Sequence, residues 1–238
     1  MRVLAIGCHP DDLEINCYGT LALHAKRGDE VYICNIANGC MGDMVNPPEV
    51  TAQIRFEEAS KAATTIGAKE YICLGVNDLS VNSYEEEQLK KVVDVIRRVR
   101  PDYIISHGND GYMDYQRDHN EAASLVFNAS FVATIPHYKS DYPVYETITP
   151  LYFMEPSASN AFKPTDYVDI TEVIDLKLEA LGCHKSQIKW LMEHVGKDVV
   201  GTAKATAMFR GKLSKVKYAE AFIRCDQVLR MTTSRLLP

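Results

Sequence analysis

The stretch RVLAIGCHPDDLEINCYGTLALHAKRGDEVYICNIA, residues 2–37, decides the fold. It opens with a short apolar run, RVLAIGC (2–8), which reads as a first strand. Residues 14–27 then place apolar side chains at helical spacing and end at Gly28, a natural helix stop. EVYICNIA (30–37) is apolar and β-branched, a second strand. Strand, loop, helix and strand in this order are the start of a parallel, alternating α/β chain.

Outward from there the alternation continues. TAQIRFEEASKAATTIG (51–67) reads as a helix with Thr51 as a cap, and EYICLG (70–75) as strand three. YEEEQLKKVVDVIRRVR (84–100) carries apolar residues at 89, 92, 93, 96 and 99, one helix face, before Pro101 and a fourth strand, DYIISH (102–107). DHNEAASLVFNASFVA (118–133) predicts a helix capped by Asp118. Prolines at 136, 143, 150, 156 and 164 interrupt the next segment, leaving LYFMEP (151–156) and YVDI (167–170) as strand candidates. Residues 171–195 predict a long helix or helix pair, and KYAEAFIRC (217–225) a last strand. The expected class is α/β: a Rossmann-like, doubly wound, mostly parallel sheet with helices on both faces, in a single domain over 1–238.

The bulk numbers narrow the function. The 238 residues are 46% hydrophobic and 24% charged, a globular composition able to bury a core. With 26 Lys+Arg against 32 Asp+Glu the chain is mildly acidic, which disfavours nucleic acid as a partner. Seven cysteines without a CxxC pair suit reduced thiols in a cytoplasm rather than a disulfide framework. No signal peptide and no membrane helix are expected.

In open α/β sheets, ligands sit beyond the carboxyl ends of the strands. There the sequence places His9-Pro10-Asp11-Asp12 after strand one, Asn38-Gly39-Cys40-Met41-Gly42-Asp43 after strand two, and a loop from His107 to His119 after strand four. The first loop lacks GxGxxG, and two adjacent carboxylates would repel a pyrophosphate. HPDD alone has two readings: a polar turn with Asp12 as N-cap, or metal ligands. His9, Asp12 and His119 together make a His/Asp/His set, and three protein ligands plus water is the catalytic-zinc pattern. The second aspartate, Asp11, would then be a general base.

These motifs resemble the PIG-L/LmbE family of zinc-dependent N-deacetylases. The first is HPDDLE (9–14) followed by CYGTL (17–21); then come ANGCMG (37–42), RFEE (55–58), QRDH (116–119) within DYQRDHNEA, and KLEALGCHKSQ (177–187). The resemblance implies His9, Asp12 and His119 as ligands of one Zn2+, with Fe2+, Mn2+ or Co2+ as alternatives. It implies Asp11 as base, Arg55 as a substrate-binding group, Asp118 orienting a neighbouring side chain, and His184 contacting substrate or protonating the leaving amine. It further implies a small N-acylated substrate, an amino-sugar conjugate, and a homo-oligomer. One position departs: the family usually has histidine where Gln116 stands, and that histidine is thought to stabilise the tetrahedral oxyanion. Gln116 can donate a hydrogen bond but carries no charge, and one lost donor typically costs ~10²–10³ in turnover. Two rivals follow, a weakly active or non-catalytic ligand-binding member, and a non-haem iron enzyme built on the same triad. Among the other histidines, His107 ends a strand and is read as a support for the ligands, and the tyrosine-rich stretch 138–153 suits a pocket or an oligomer contact.

Overall fold

The computed structural model describes residues 1–108, 114–156 and 162–227. Seven strands, β1 (Arg2–Gly7), β2 (Glu30–Ala37), β3 (Glu70–Val76), β4 (Tyr103–Ser106), β5 (Leu151–Met154), β6 (Asp166–Asp169) and β7 (Ala219–Arg224), form one sheet in the order β3-β2-β1-β4-β5-β7-β6. β1 to β5 pair in parallel, and β7 pairs antiparallel with both β5 and β6. The chain winds from β1 to β3 on one side and resumes with β4 on the other side of β1. The gap between the ends of β1 and β4 is therefore the switch point where such sheets bind ligands.

Side chains alternate along β1 into two cores. Leu4, Ile6 and Cys8 face a cluster with Val92, Val93 and Ile96 of α4 (Glu86–Val99) and Ala122, Leu125 and Val126 of α5 (Arg117–Val132). Val3 and Ala5 face the opposite cluster, with α1 (Asp12–Asn16), α2 (Tyr18–Arg27), α3 (Pro48–Thr65), α6 (Ile174–Leu181) and α8 (Val199–Ser214). Burial on both faces explains why the central strands read as continuous apolar runs.

The structure departs from the expected elements in four places. The helix over 14–27 is two helices that meet at Cys17, because the buried Glu220 carboxylate of β7 accepts hydrogen bonds from Gly19 N–H (2.8 Å) and Thr20 N–H (2.7 Å) and gives α2 its own start. Asp118 is not the cap of α5; Gln116 occupies that position, and Asp118 accepts instead from the Leu79 N–H at 2.6 Å. Thr51 is not the cap of α3, which starts at Pro48 with Pro47 at the N-cap position, whereas residues 171–195 fold as the expected helix pair, α6 and α7 (Lys185–Val195), after a 3-10 turn and with His184 at the break. α8 was not anticipated.

Candidate metal centre and its surroundings

His9 follows β1, Asp12 opens α1, and His119 lies in the first turn of α5, so two crossovers deliver three donors to the switch point. His9 Nδ1 is 3.2 Å from His119 Nε2 and 3.7 Å from Asp12 Oδ2, and His119 Nε2 is 3.3 Å from Asp12 Oδ1. Ligand bonds of about 2.0–2.1 Å in a tetrahedron place donors about 3.3 Å apart. The two edges that meet at His119 Nε2 match one small divalent ion, while the 3.7 Å edge runs to the other oxygen of Asp12, and the nitrogen and oxygen donors suit a first-row divalent metal. The alternative role for these carboxylates, helix capping, is not taken: neither Asp11 nor Cys17 makes a side-chain cap to α1 or α2, and Asp12 Oδ2 accepts from His9 N–H at 2.7 Å.

The surroundings hold the donors in charge-complementary pairs. His119 Nδ1 is 2.9 Å from Asp114 Oδ2, which leaves Nε2 turned to the cluster. Burial works against a charged His119, yet the Asp12 charge and the Asp114 hydrogen bond outweigh it and push the imidazole up to about 9. Burial likewise opposes a charged Asp12, but the charge of the facing His119 and the hydrogen bonds from His119 and His9 hold it well below the usual carboxylate range. His107 accepts from Cys8 N–H at Nε2 (3.1 Å) and stacks on His119 with ring centroids 4.5 Å apart. Its burial, and the charge of His119, lower its pKa and keep it neutral. His107 therefore packs against His119 and anchors the end of β1 through Cys8 N–H.

His9 Nε2 faces Asp118 Oδ2 at 3.4 Å and Asp78 Oδ1 at 4.0 Å. Asp118 Oδ2 thus faces the His9 ring while it accepts from the Leu79 N–H. Asp78 also accepts from Gly39 N–H (2.8 Å) and Met41 N–H (3.0 Å), tying the β2 loop to the ligand.

Asp11 precedes Asp12 in the chain and pairs with the buried Arg55. Its φ of 118° is a left-handed conformation that side chains rarely adopt, and such strain gathers at functional turns. Burial pushes its carboxyl up to about 6 against the opposing pull of Arg55. Arg55, 3% exposed, bonds Asp11 Oδ1 (3.3 Å), Gly39 O (3.3 Å) and Pro10 O. A Cβ on Gly39, which has φ +75°, would lie 2.7 Å from the Arg55 side chain. Arg55 therefore joins the loops after β1 and β2 from beneath, rather than standing open to a substrate as the resemblance implied.

Two further expectations take a different place. His184 is fully buried, with Nε2 2.9 Å from Glu14 Oε1, rather than open at the surface of the site. Gln116 donates its amide to the Tyr115 hydroxyl at 3.3 Å on the outer side of α5 and does not join the cluster. Sequence reasoning missed Asp114, Asp78 and the Glu14–His184 pair. Asp114 heads the motif DYQRDH, and its spacing from His119 was the available signal. Residues 109–113 of the same loop lie outside the described residues.

Residues 4–130 match the family described as PIG-L: GlcNAc-PI de-N-acetylase. The chain is 30% identical over 225 residues to a diacetylchitobiose deacetylase of Thermococcus kodakarensis, covering 92% of this chain and 81% of that protein. Its fold superposes on N,N'-diacetylchitobiose deacetylase from Pyrococcus horikoshii with a TM-score of 0.81 and 25% identity, covering 94% of this chain and 83% of that one. It superposes equally on a 4-carboxy-2-hydroxymuconate hydratase from Pseudomonas putida, with a TM-score of 0.84, 25% identity and 99% of both chains covered.

Proposed function

Because the chain belongs to the PIG-L family, we propose that it is a metal-dependent hydrolase that removes an acetyl group from the amide nitrogen of an N-acetylated sugar or a related small molecule. The observation that carries this reading is the convergence of His9, Asp12 and His119 next to Asp11, whose backbone is held at positive φ.

His9, Asp12 and His119 would hold one divalent ion, for which we propose zinc. When bound, such an ion supplies a Lewis acid for the amide carbonyl and lowers the pKa of water. Asp11 takes a proton from the attacking water while the new C–O bond forms at the carbonyl carbon. Arg55 holds Asp11 and the Pro10 carbonyl in place during that transfer. Asp118 and Asp114 keep the two imidazoles oriented. As the C–N bond breaks, Asp11 passes its proton to the amine nitrogen, so one water yields a short carboxylic acid and a free amine.

A second reading has one observation behind it, the likeness to a hydratase over the full chain. Proton removal from water by Asp11 serves addition to an activated double bond as well as attack on an amide. Incubating the zinc-, iron-, manganese- or cobalt-loaded protein with N-acetyl amino sugars and with unsaturated dicarboxylates separates the two. Amine release supports the deacetylase, loss of the double-bond absorbance supports the hydratase, and inertness toward both supports a ligand-binding member. The seven unpaired thiols favour a reducing compartment, the cytoplasm, as its location. Among the described residues no helix is long and apolar enough to cross a membrane.

A further inference from the structure

A groove of about 530 Å³ lies between α1 and α8, within the size range of small-ligand sites. It adjoins the metal centre in two ways. Pro156 and Phe162 line both the groove and the small enclosure around His107, Asp114 and His119. On the other side, Asn16 lines the groove and donates its amide to the carbonyl of the ligand Asp12 at 2.9 Å, one helical turn away.

The far wall is a face of α8. Val199, Thr202, Ala203, Thr206, Phe209 and Arg210 recur at helical spacing along it. Thr202 and Thr206 are exposed there, and Phe209 is 54% exposed. Small residues between them leave room, the Thr206 hydroxyl offers a donor and an acceptor, the Thr202 hydroxyl, which donates to the Asp198 carbonyl at 2.6 Å, offers an acceptor, and Phe209 offers a ring face.

The charge in the groove is already paired. Arg210 directs Nε and Nη2 at the two oxygens of Glu155 (2.9 and 2.5 Å), and its guanidinium lies against Phe162 and Phe209 at 5.6 and 5.1 Å from their centroids. The fork that would clasp a carboxylate is therefore committed to Glu155. Lys197 stands at the rim as a point charge.

We propose that this groove is a subsite for a second, neutral sugar ring attached to the reacting N-acetyl sugar, and that it selects neutral oligosaccharides over substrates with a carboxylated aglycone. One apolar ring face would stack on Phe209, and hydroxyls would bond Asn16, Thr202 and Thr206. The proposal rests on the deacetylase reading and deepens it.

The test compares kcat/KM for N-acetylglucosamine, N,N'-diacetylchitobiose and an N-acetylglucosaminide bearing a carboxylate, using the metal-loaded protein. The disaccharide is expected to exceed the monosaccharide at least about tenfold, an advantage that stacking and one hydrogen bond can supply. Phe209→Ala and Thr206→Val should each erase most of it through KM, leaving metal content, melting temperature and the monosaccharide rate unchanged. Equal rates on both sugars, variants that leave their ratio unchanged, or a preferred carboxylated substrate whose advantage vanishes in Lys197→Ala would overturn the subsite. If no sugar is turned over, the deacetylase reading fails by itself. Calorimetric binding of N,N'-diacetylchitobiose to the wild type and to Phe209→Ala then still decides the groove, since equal or absent binding overturns it.

Discussion

Asp114 Oδ2 sits 2.9 Å from Nδ1 of His119, and this one contact selects which nitrogen His119 turns to the metal centre. An outer carboxylate of this kind fixes both tautomer and ring orientation, and its loss typically weakens metal affinity 10–100-fold. Asp114→Ala should therefore weaken zinc binding by about that factor, with Asp114→Asn intermediate because an amide oxygen can still accept. Titration against a competing chelator measures it; unchanged affinity in Asp114→Ala would mean that the His119 orientation is set elsewhere.

The donor set and the base should separate cleanly by substitution. His9→Ala, Asp12→Ala and His119→Ala each remove a ligand and should abolish stoichiometric metal. Asp11→Ala should keep the metal and lose about 10²–10⁴ in turnover, the usual contribution of a general base. Metal analysis alongside turnover reads both. Metal lost from Asp11→Ala and kept in Asp12→Ala would exchange the two roles.

Much of this was legible in the sequence, for physical reasons. Central strands such as EVYICNIA are buried on both faces and leave continuous apolar runs, which composition alone exposes. The proposed ligands lie in two short motifs at strand ends, where the fold class itself directs attention. α8 was not legible because its buried stripe is Val199, Ala203, Ala207 and Gly211, while Met208, Phe209 and Leu213 face outward, so the apolar periodicity points the wrong way. The break at Cys17 depends on Glu220, a partner about 200 positions distant, and local pattern cannot register it. The burial of Arg55 and His184 is likewise set by packing between distant loops.

Arg55 provides a test of support against substrate contact. Removing one member of a buried ion pair typically costs 3–5 kcal/mol. Arg55→Ala should thus lose roughly 3 kcal/mol of stability in denaturant unfolding and lower kcat by misplacing Asp11. Gly39→Ala should behave similarly though more mildly, since its Cβ would press on the same side chain from a left-handed backbone. A higher KM in Arg55→Ala with unaltered stability would restore the substrate-binding role that the resemblance implied.

Gln116→His restores the residue usual in the family. An imidazolium near the reacting carbonyl would form a charge-assisted bond, roughly twice as strong as a neutral one. Position 116 is also the N-cap of α5, where the helix end disfavours a cation. The side chain lies on the outer side of α5 and the two effects oppose, so kcat on simple N-acetyl sugars should change less than about twofold with metal content unaltered, and a gain of about tenfold, ~1.4 kcal/mol, would bring residue 116 to the reacting carbonyl. An unchanged kcat would place residue 116 outside the reacting centre, in keeping with its amide on Tyr115.

His184 separates a structural from a chemical role through pH. Its imidazole lies wholly within the protein against Glu14. Burial alone would lower its pKa, but the Glu14 charge and hydrogen bond prevail and raise it above the ordinary 6.5. The folded state therefore binds the proton more tightly than the unfolded chain. The pair contributes its full stabilisation below pH 6.5, the unfolded value, and loses it as pH rises through the folded value. His184→Gln leaves Glu14 buried without its cation, so it should cost roughly 3 kcal/mol at pH 6. The deficit should shrink steadily at higher pH, and metal content should be retained. Unfolding midpoints of both proteins from pH 5 to 9 measure this. A constant deficit across that range would remove the charged pair. A collapse of kcat with unaltered stability would instead mean that His184 reaches the reacting amine in a conformation other than the one seen here, and would return it to the role of proton donor.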